Sequence, residues 1–374
     1  MKILIYESDK GMANYTYNLA NELIRQGAEV VYMTSEENPY RNLLDKRVKD
    51  CCILKQVSGR YKRRTIRWII DRIYKCLFNI LARNRVIHRE KPNVVNIHST
   101  IYALDKFLFT KNKNTKYIMT VHNVEGHELT FDEKYKLDFW KKQDGLIVHT
   151  PENVEELRTK YKLSENVFLI PHGADISYKK MEKKECREKY GISLDSKVIL
   201  SFGVVREYKG IDILIDALTD ISGCTLLLAG RVDSDVKEAY VRRMNEKKVK
   251  FIWLDGFIDE NDIPAIFQCS DIAVLPYKHF NSQSGVLLRI ATYNLPVIAT
   301  DVGDFKRFIN TYKMGIICQP NDSESLHSAI IQMVSDNNLE QYAQGAKKAA
   351  FDNSWTHAAE CYMESFRIIT HSNS

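Results

Sequence analysis

The chain has 374 residues, 44% of them hydrophobic and 27% charged, with a formal net charge of +6. That length suits two or three domains, each long enough to bury its own core, and the composition is ordinary for a folded globular protein. No repeat of solenoid length and no low-complexity tract occurs, which sets aside repeat arrays and disordered scaffolds.

The amino terminus, MKILIYESDKG, enters a short apolar strand at once and lacks the apolar stretch and small-residue cleavage site of a signal peptide, so a cytoplasmic location is expected. Short apolar runs then alternate with helical patterns. In the first half, strands are predicted near 2–6, 29–33, 93–97, 116–121, 145–149 and 166–171; in the second, near 197–202, 224–230, 249–254, 271–276, 295–300 and 314–318. Runs this continuous suit parallel strands covered by helices on both faces. Twelve are too many for one ordinary open sheet, and the polar stretch from Ala174 to Lys189 divides them six and six. The pattern predicts an α/β protein of two doubly wound domains facing across a cleft, with ligands beyond the carboxyl ends of the strands. The expected boundaries are 1–175, 176–353 and a closing helix over 354–374 that packs back across the domains; there Trp355, Ala358, Ala359, Tyr362 and Phe366 share one helical face.

Between Arg60 and Lys91 eleven Lys and Arg stand against Asp71 and Glu90, while Ile66, Ile69, Ile70, Ile73, Leu77, Ile80 and Leu81 recur at helical spacing. Such a basic amphipathic helix either turns its stripe into the domain core or lies on an anionic membrane surface. Arg67, Asp71, Arg72 and Lys75 interrupt it too often for a membrane span. The cysteines, Cys51, Cys52, Cys76, Cys186, Cys224, Cys269, Cys318 and Cys361, form no C-x-x-C and sit mostly in apolar runs, so free thiols are expected rather than disulfides or a zinc site.

Two loops of the second half suit an anion. After the strand ending at Phe202, Gly203 frees the chain to turn, Arg206 offers a planar fork of donors and Lys209 a point charge, and a helix begins after Gly210. In FNSQSGVLLRIATYNLPVIATDVG (280–303), the pattern turns helical at Val286, which puts Ser282, Ser284, Gly285 and Val286 in a first turn with free backbone N–H groups. Two such termini in one domain could hold both phosphates of a nucleoside diphosphate. Read without further context, the same loops also suit two solvated cations and an ordinary helix cap.

The order F-G-x-x-R-x-x-K-G, L-L-L-A-G, D-G-F-I, S-D-I-A-V-L-P-Y, S-G-V and P-V-I-A-T-D-V-G resembles the carboxyl-terminal donor-binding domain of the retaining glycosyltransferases of family 4, which have the two-domain GT-B fold. TVHNVEGHE (120–128), IVHT (147–150) and IPHG (170–173) extend the resemblance through the first half. It implies an enzyme that moves a sugar from a nucleotide-sugar, UDP- or GDP-linked, to a glycan acceptor with retention and without a cofactor, in cell-surface polysaccharide synthesis. Carried over, Arg206 and Lys209 would bind the diphosphate and stabilise the leaving nucleotide. The amides of Ser284, Gly285 and Val286 would meet the sugar or distal phosphate, with Gly203 at the turn. Gly256, Phe257 and Ile258 would hold the base. His122 would stand beside the donor sugar as a catalytic residue, and Gly11, Met12 and Asn14 near the acceptor.

No metal ligand is implied by the resemblance. The sequence departs from the pattern where many members carry two glutamates with seven residues between them: Asn281 and Arg289 stand there, and Q-S-G-V marks a different branch. Gly11 is followed by Met12 where two glycines are usual. The expected partners are a nucleotide-sugar, a glycan or lipid-linked acceptor and an anionic membrane surface through residues 60–91, with no nucleic acid. The alternatives keep the fold: a nucleotide-sugar epimerase or a phosphorylase, or a weak or inactive subunit that binds a partner. A nucleotide-dependent oxidoreductase would need G-x-G-x-x-G after the first strand, which YESDKGMANY lacks.

Overall fold

The computed structural model describes residues 1–8, 10–56, 65–100, 102–124, 133–280, 284–335 and 339–371. Of the residues singled out above, Arg60, Asn281, Ser282 and positions 125–128 lie outside the described residues. The chain divides into two compact units: Met1–Gly173 together with Trp355–Ser374, and Ala174–Ser354.

The first unit is a seven-stranded parallel sheet: β1 (Lys2–Tyr6), β2 (Glu29–Ser35), β3 (Lys49–Leu54), β4 (Val94–Ile97), β5 (Lys116–Thr120), β6 (Gly145–Val148) and β7 (Val167–Leu169), in the order β3-β2-β1-β4-β5-β6-β7. Alternate side chains of each strand point to opposite faces. Ile3, Ile5, Val30, Val94 and Ile118 therefore meet Tyr15, Leu19 and Leu23 of the helix Ala13–Arg25 and Ala358, Tyr362 and Phe366 of the helix Trp355–His371. Leu4, Tyr6, Val31, Val95 and Met119 face the other way, toward Ala82, Val86, Phe139 and Trp140.

Six strands were expected here and seven are present. The extra one, β3, reads KDCCIL; Lys49 and Asp50 are exposed and only Cys51 and Leu54 are buried, as suits an edge strand whose apolar run is too broken to read from sequence.

The second unit has six parallel strands: β8 (Lys197–Phe202), β9 (Cys224–Ala229), β10 (Phe251–Leu254), β11 (Ile272–Leu275), β12 (Val297–Thr300) and β13 (Gly315–Cys318), in the order β10-β9-β8-β11-β12-β13. Leu200, Leu227, Ala273 and Val297 pack on one face, Ile199, Leu226, Val274 and Ile298 on the other. In each unit the strand order reverses direction beside its first strand, at β1/β4 and at β8/β11. The loops leaving those strands diverge there and open a crevice at the carboxyl edge.

The basic helix runs from Ile66 to Glu90, with Thr65 as its cap: Thr65 Oγ1 accepts from the Trp68 amide at 3.3 Å. Its second half is anchored. Arg83 is buried and donates to both carboxylate oxygens of Asp105 at 3.0 and 2.7 Å, between the rings of Tyr6 and Phe109. Of the predicted stripe, Ile80 is buried, whereas Ile66, Ile69, Ile70, Ile73, Leu77 and Leu81 are exposed, Ile66 by 77%. Among the described residues no helix is long and apolar enough to cross a membrane.

Candidate active site

β8 ends at Phe202, and the chain turns at Gly203 with φ of +103°, a conformation that side chains rarely adopt. Space is equally restrictive: a Cβ at Gly203 would lie 2.8 Å from Lys209 Nζ and 3.7 Å from Val286 Cγ2. A short 3₁₀ turn, Glu207–Lys209, follows, and Gly210 at φ +65° starts the helix Ile211–Ala217. A Cβ on Gly210 would strike the Pro276 carbonyl oxygen at 2.0 Å, so this glycine lets the loops after β8 and β11 close on each other. The Lys278 amide donates to the Tyr208 carbonyl at 2.7 Å across the same junction.

This packing buries Lys209. Only 8% of it is exposed, its Nζ donates to the Phe202 carbonyl at 3.5 Å, and it lies 5.5 Å from the centre of the Tyr277 ring. Loss of water, and after it the nearby Arg206 charge, pulls its pKa down to about 8. Arg206 is exposed, and among the described residues neither cation is paired with a carboxylate.

Beside them starts the helix Gly285–Thr292. Ser284 is buried as its cap, and its Oγ accepts from the Leu287 amide at 3.3 Å. The first turn of any helix offers amides with no partner in the helix, and here they belong to Gly285 and Val286. The structure thus brings together Gly203, Lys209, Ser284 and Val286. A buried ammonium and a helix amino terminus converge, an arrangement chemically suited to a phosphate group.

Gly256 (φ +118°), Phe257 and Ile258 leave β10 on the same edge of the sheet; Phe257 is 82% exposed, while Ile258 is partly buried against the core. Arg289, standing where a glutamate was expected in the family pattern, reaches Glu260 at 3.5 Å and lies 5.7 Å over the Phe202 ring. A carboxylate does therefore approach this helix, but from the loop after β10.

In the first unit, Gly11 and Met12 lie in a 3₁₀ turn, Lys10–Met12, and Asn14 in the first turn of the helix Ala13–Arg25, whose Asn14 carbonyl accepts from Asn18 Nδ2 at 3.0 Å. His122 follows β5, and it does not stand alone. His98 follows β4, His149 follows β6 and His172 lies just past β7, so four adjacent strands each deliver an imidazole to the carboxyl edge. His98 Nδ1 is 3.2 Å from His122 Nε2, and His149 Nε2 is 3.3 Å from His122 Nδ1. All four rings surround Tyr15, with centroids 4.8 to 5.5 Å from it.

Burial disfavours the charged imidazoles: His98 falls to about 3, His149 to about 4, His172 to about 3, and His122 well below the usual range, with the neighbouring histidines adding to the effect for His98, His122 and His172. Sequence reading singled out only His122. The signal for the others was a histidine recurring just after an apolar run in VVNIH, IVH and IPH.

A family model described as "Glycosyltransferase Family 4" matches residues 10–178, and one described as "Glycosyl transferases group 1" matches residues 182–350. An O-antigen chain mannosyltransferase C from Escherichia coli is 23% identical over 299 residues, covering 76% of this chain and 78% of that protein. Among solved structures, a glycosyltransferase from Rickettsia africae has a TM-score of 0.79 at 18% identity, covering 100% of this chain and 99% of its own. Anabaena HepE in complex with UDP has a TM-score of 0.75 at 16% identity, covering 98% and 100%. The two units together define a GT-B glycosyltransferase. The chain belongs to the family 4 type of these enzymes.

Proposed function

We propose that this glycosyltransferase takes its sugar from a nucleoside diphosphate sugar, UDP- or GDP-linked, and transfers it with retention to a lipid-linked glycan at the cytoplasmic face of a membrane. The observation that carries the donor half of this reading is the buried, carboxylate-free ammonium of Lys209 beside the helix that starts at Gly285. Departure of a nucleoside diphosphate develops negative charge on its phosphates. Cations and amides fixed there beforehand bind that charge more strongly in the transition state than in the substrate, which is what accelerates the step. Arg206 and Lys209 supply the charge that a divalent ion would otherwise bring, so the transfer requires no metal. HepE, similar in fold, was solved in complex with UDP, which supports a nucleoside diphosphate as the leaving group.

Titration with UDP and with GDP, in EDTA and in magnesium, tests this. One nucleotide binds equally well in both conditions, and the Arg206→Ala/Lys209→Ala double variant loses it. Metal-dependent binding, or binding that survives in the variant, refutes the assignment. The anomeric configuration of the product, read by NMR, decides retention.

The acceptor half rests on the helix Ile66–Glu90. Its exposed isoleucines are flanked by exposed Arg67 and Arg72, and each basic residue held near an anionic bilayer contributes about 1 kcal/mol. Co-sedimentation with phosphatidylglycerol vesicles is expected for the native chain and not for Ile69→Glu/Ile70→Glu/Ile73→Glu. Equal sedimentation of the two would remove the membrane from the proposal.

A further inference from the structure

The histidines at the carboxyl edge of the first unit form a directional row. The Ile170 carbonyl is 2.9 Å from His149 Nδ1; His149 Nε2 meets His122 Nδ1; His122 Nε2 meets His98 Nδ1; and His98 Nε2 lies 2.6 Å from the side-chain amide of Asn96. Both junctions between imidazoles run from an ε nitrogen to the next δ nitrogen.

Counting protons constrains the row. Four junctions need four protons, and three neutral imidazoles bring three, one on each ring. With Asn96 Oδ1 toward His98, both ends of the row are acceptors, and a fourth proton would make it a cation. Burial of His98, His122 and His149 opposes that charge.

The oxygen and nitrogen of an amide fill nearly the same space, so Asn96 can present Nδ2 to His98 instead. Its Oδ1 then faces Thr120 Oγ1, 3.0 Å from the other arm of the amide, and gives up only the longer 3.4 Å approach to the Ile118 carbonyl. Thr120 donates to Asn96 and accepts from Tyr362 Oη, 3.0 Å away, which accepts in turn from Tyr15 Oη at 2.9 Å. In that arrangement each of these junctions has one donor and one acceptor.

We propose that His98, His122 and His149 form a proton-ordered row of neutral Nδ1–H tautomers, closed by the Ile170 carbonyl and the Asn96 amide, in which His98 and His149 are positioning residues for His122. The role in transfer rests on the reading that places His122 beside the transferred sugar. Both ring nitrogens of His122 are committed inside the row, so it meets the substrate as a fixed, uncharged wall and not as a base.

The test uses the full chain labelled with ¹⁵N-histidine at neutral pH, with long-range ¹H–¹⁵N correlations assigned through His98→Asn and His149→Gln. The expected spectrum has a protonated Nδ1 and a bare Nε2 on all three rings. An Nε2–H tautomer at any of them, or an imidazolium, overturns the row, and the native spectrum needs no variant to show it.

A transfer assay tests the positioning role. In His149→Gln the amide oxygen can take the place of Nε2, and kcat is kept. His149→Leu leaves His122 Nδ1 without its acceptor, and kcat falls roughly tenfold or more while the donor KM is unchanged, as for outer partners that orient a functional ligand. Equal kcat in both variants reduces His149 to a structural residue and overturns the positioning role. Unchanged turnover in His122→Ala removes His122 from the sugar and refutes that reading separately, with the tautomer spectrum standing or falling by itself.

Discussion

In the first unit, four adjacent strands end on imidazoles that burial keeps uncharged; in the second, the central strand β8 runs into a loop where burial has enclosed an ammonium. The two sheets share a doubly wound plan and reverse their strand order at corresponding places, yet their carboxyl edges carry opposite electrostatic designs. Loss of water acts on both in the same direction, lowering the pKa of each base. The imidazoles start near neutrality and are pushed out of the working range, whereas Lys209 starts far above it and comes to rest near pH 8 still mostly charged at neutral pH. One edge is thereby inert to protons in the physiological range, and the other is poised to respond to an anion.

Acid should break this comparison on the imidazole side first. Between the ordinary histidine value near 6.5 and the folded values of about 3 and 4, the unfolded chain binds more protons than the folded one, so stability is present above pH 6.5 and falls as the pH drops. His98 and His149 each take away up to about 1.4 kcal/mol per pH unit across that window, several kcal/mol in all by pH 4. Urea melts between pH 7 and 4, followed by Trp140 in the first unit and Trp253 in the second through single-tryptophan variants, should show the first unit failing earlier. Loss of both units together would erase the distinction.

Next in size is turnover. Removing one fixed donor from a site of developing charge commonly costs about 10²–10³ in rate, so Lys209→Ala should lose that much kcat while circular dichroism stays native. A change of less than tenfold would make Lys209 a structural cation.

The smallest effect sharpens the other side. If the diphosphate requires the charged form of Lys209, its affinity is constant below about pH 8 and weakens by about tenfold per pH unit above it. Binding at pH 8 then takes up a proton, seen as a calorimetric enthalpy that depends on the buffer. Binding heat indifferent to the buffer would place the proton elsewhere.

The strand-and-helix plan was legible because central strands buried on both faces, such as CTLLLA and GLIV, are apolar throughout. It failed at β3, where an edge strand has only one side to bury. Arg206 and Lys209 could be picked out by spacing between two glycines, but the burial of Lys209 could not, since it depends on Pro276 and Tyr277 arriving from another loop. The direction of the basic helix was equally hidden: its sequence fits a core stripe, and only the buried Arg83–Asp105 pair fixes which half faces inward. The histidine row was missed for the opposite reason, as its members are spread from residue 98 to residue 149 and meet only through strand adjacency.

The helix Trp355–His371 has a consequence for how the protein is made. Its Ala358, Ala359 and Phe366 complete the core of the first unit, and its Tyr362 hydroxyl bonds Tyr15 and Thr120 there. Domains generally form in the order in which the ribosome releases them. Here the unit that starts first is finished last, since Ile3, Ile5, Leu19 and Leu23 lack their covering helix until the whole Ala174–Ser354 unit has been synthesised and can already have folded. A nascent chain paused anywhere in that interval carries an open apolar face, a natural target for a chaperone.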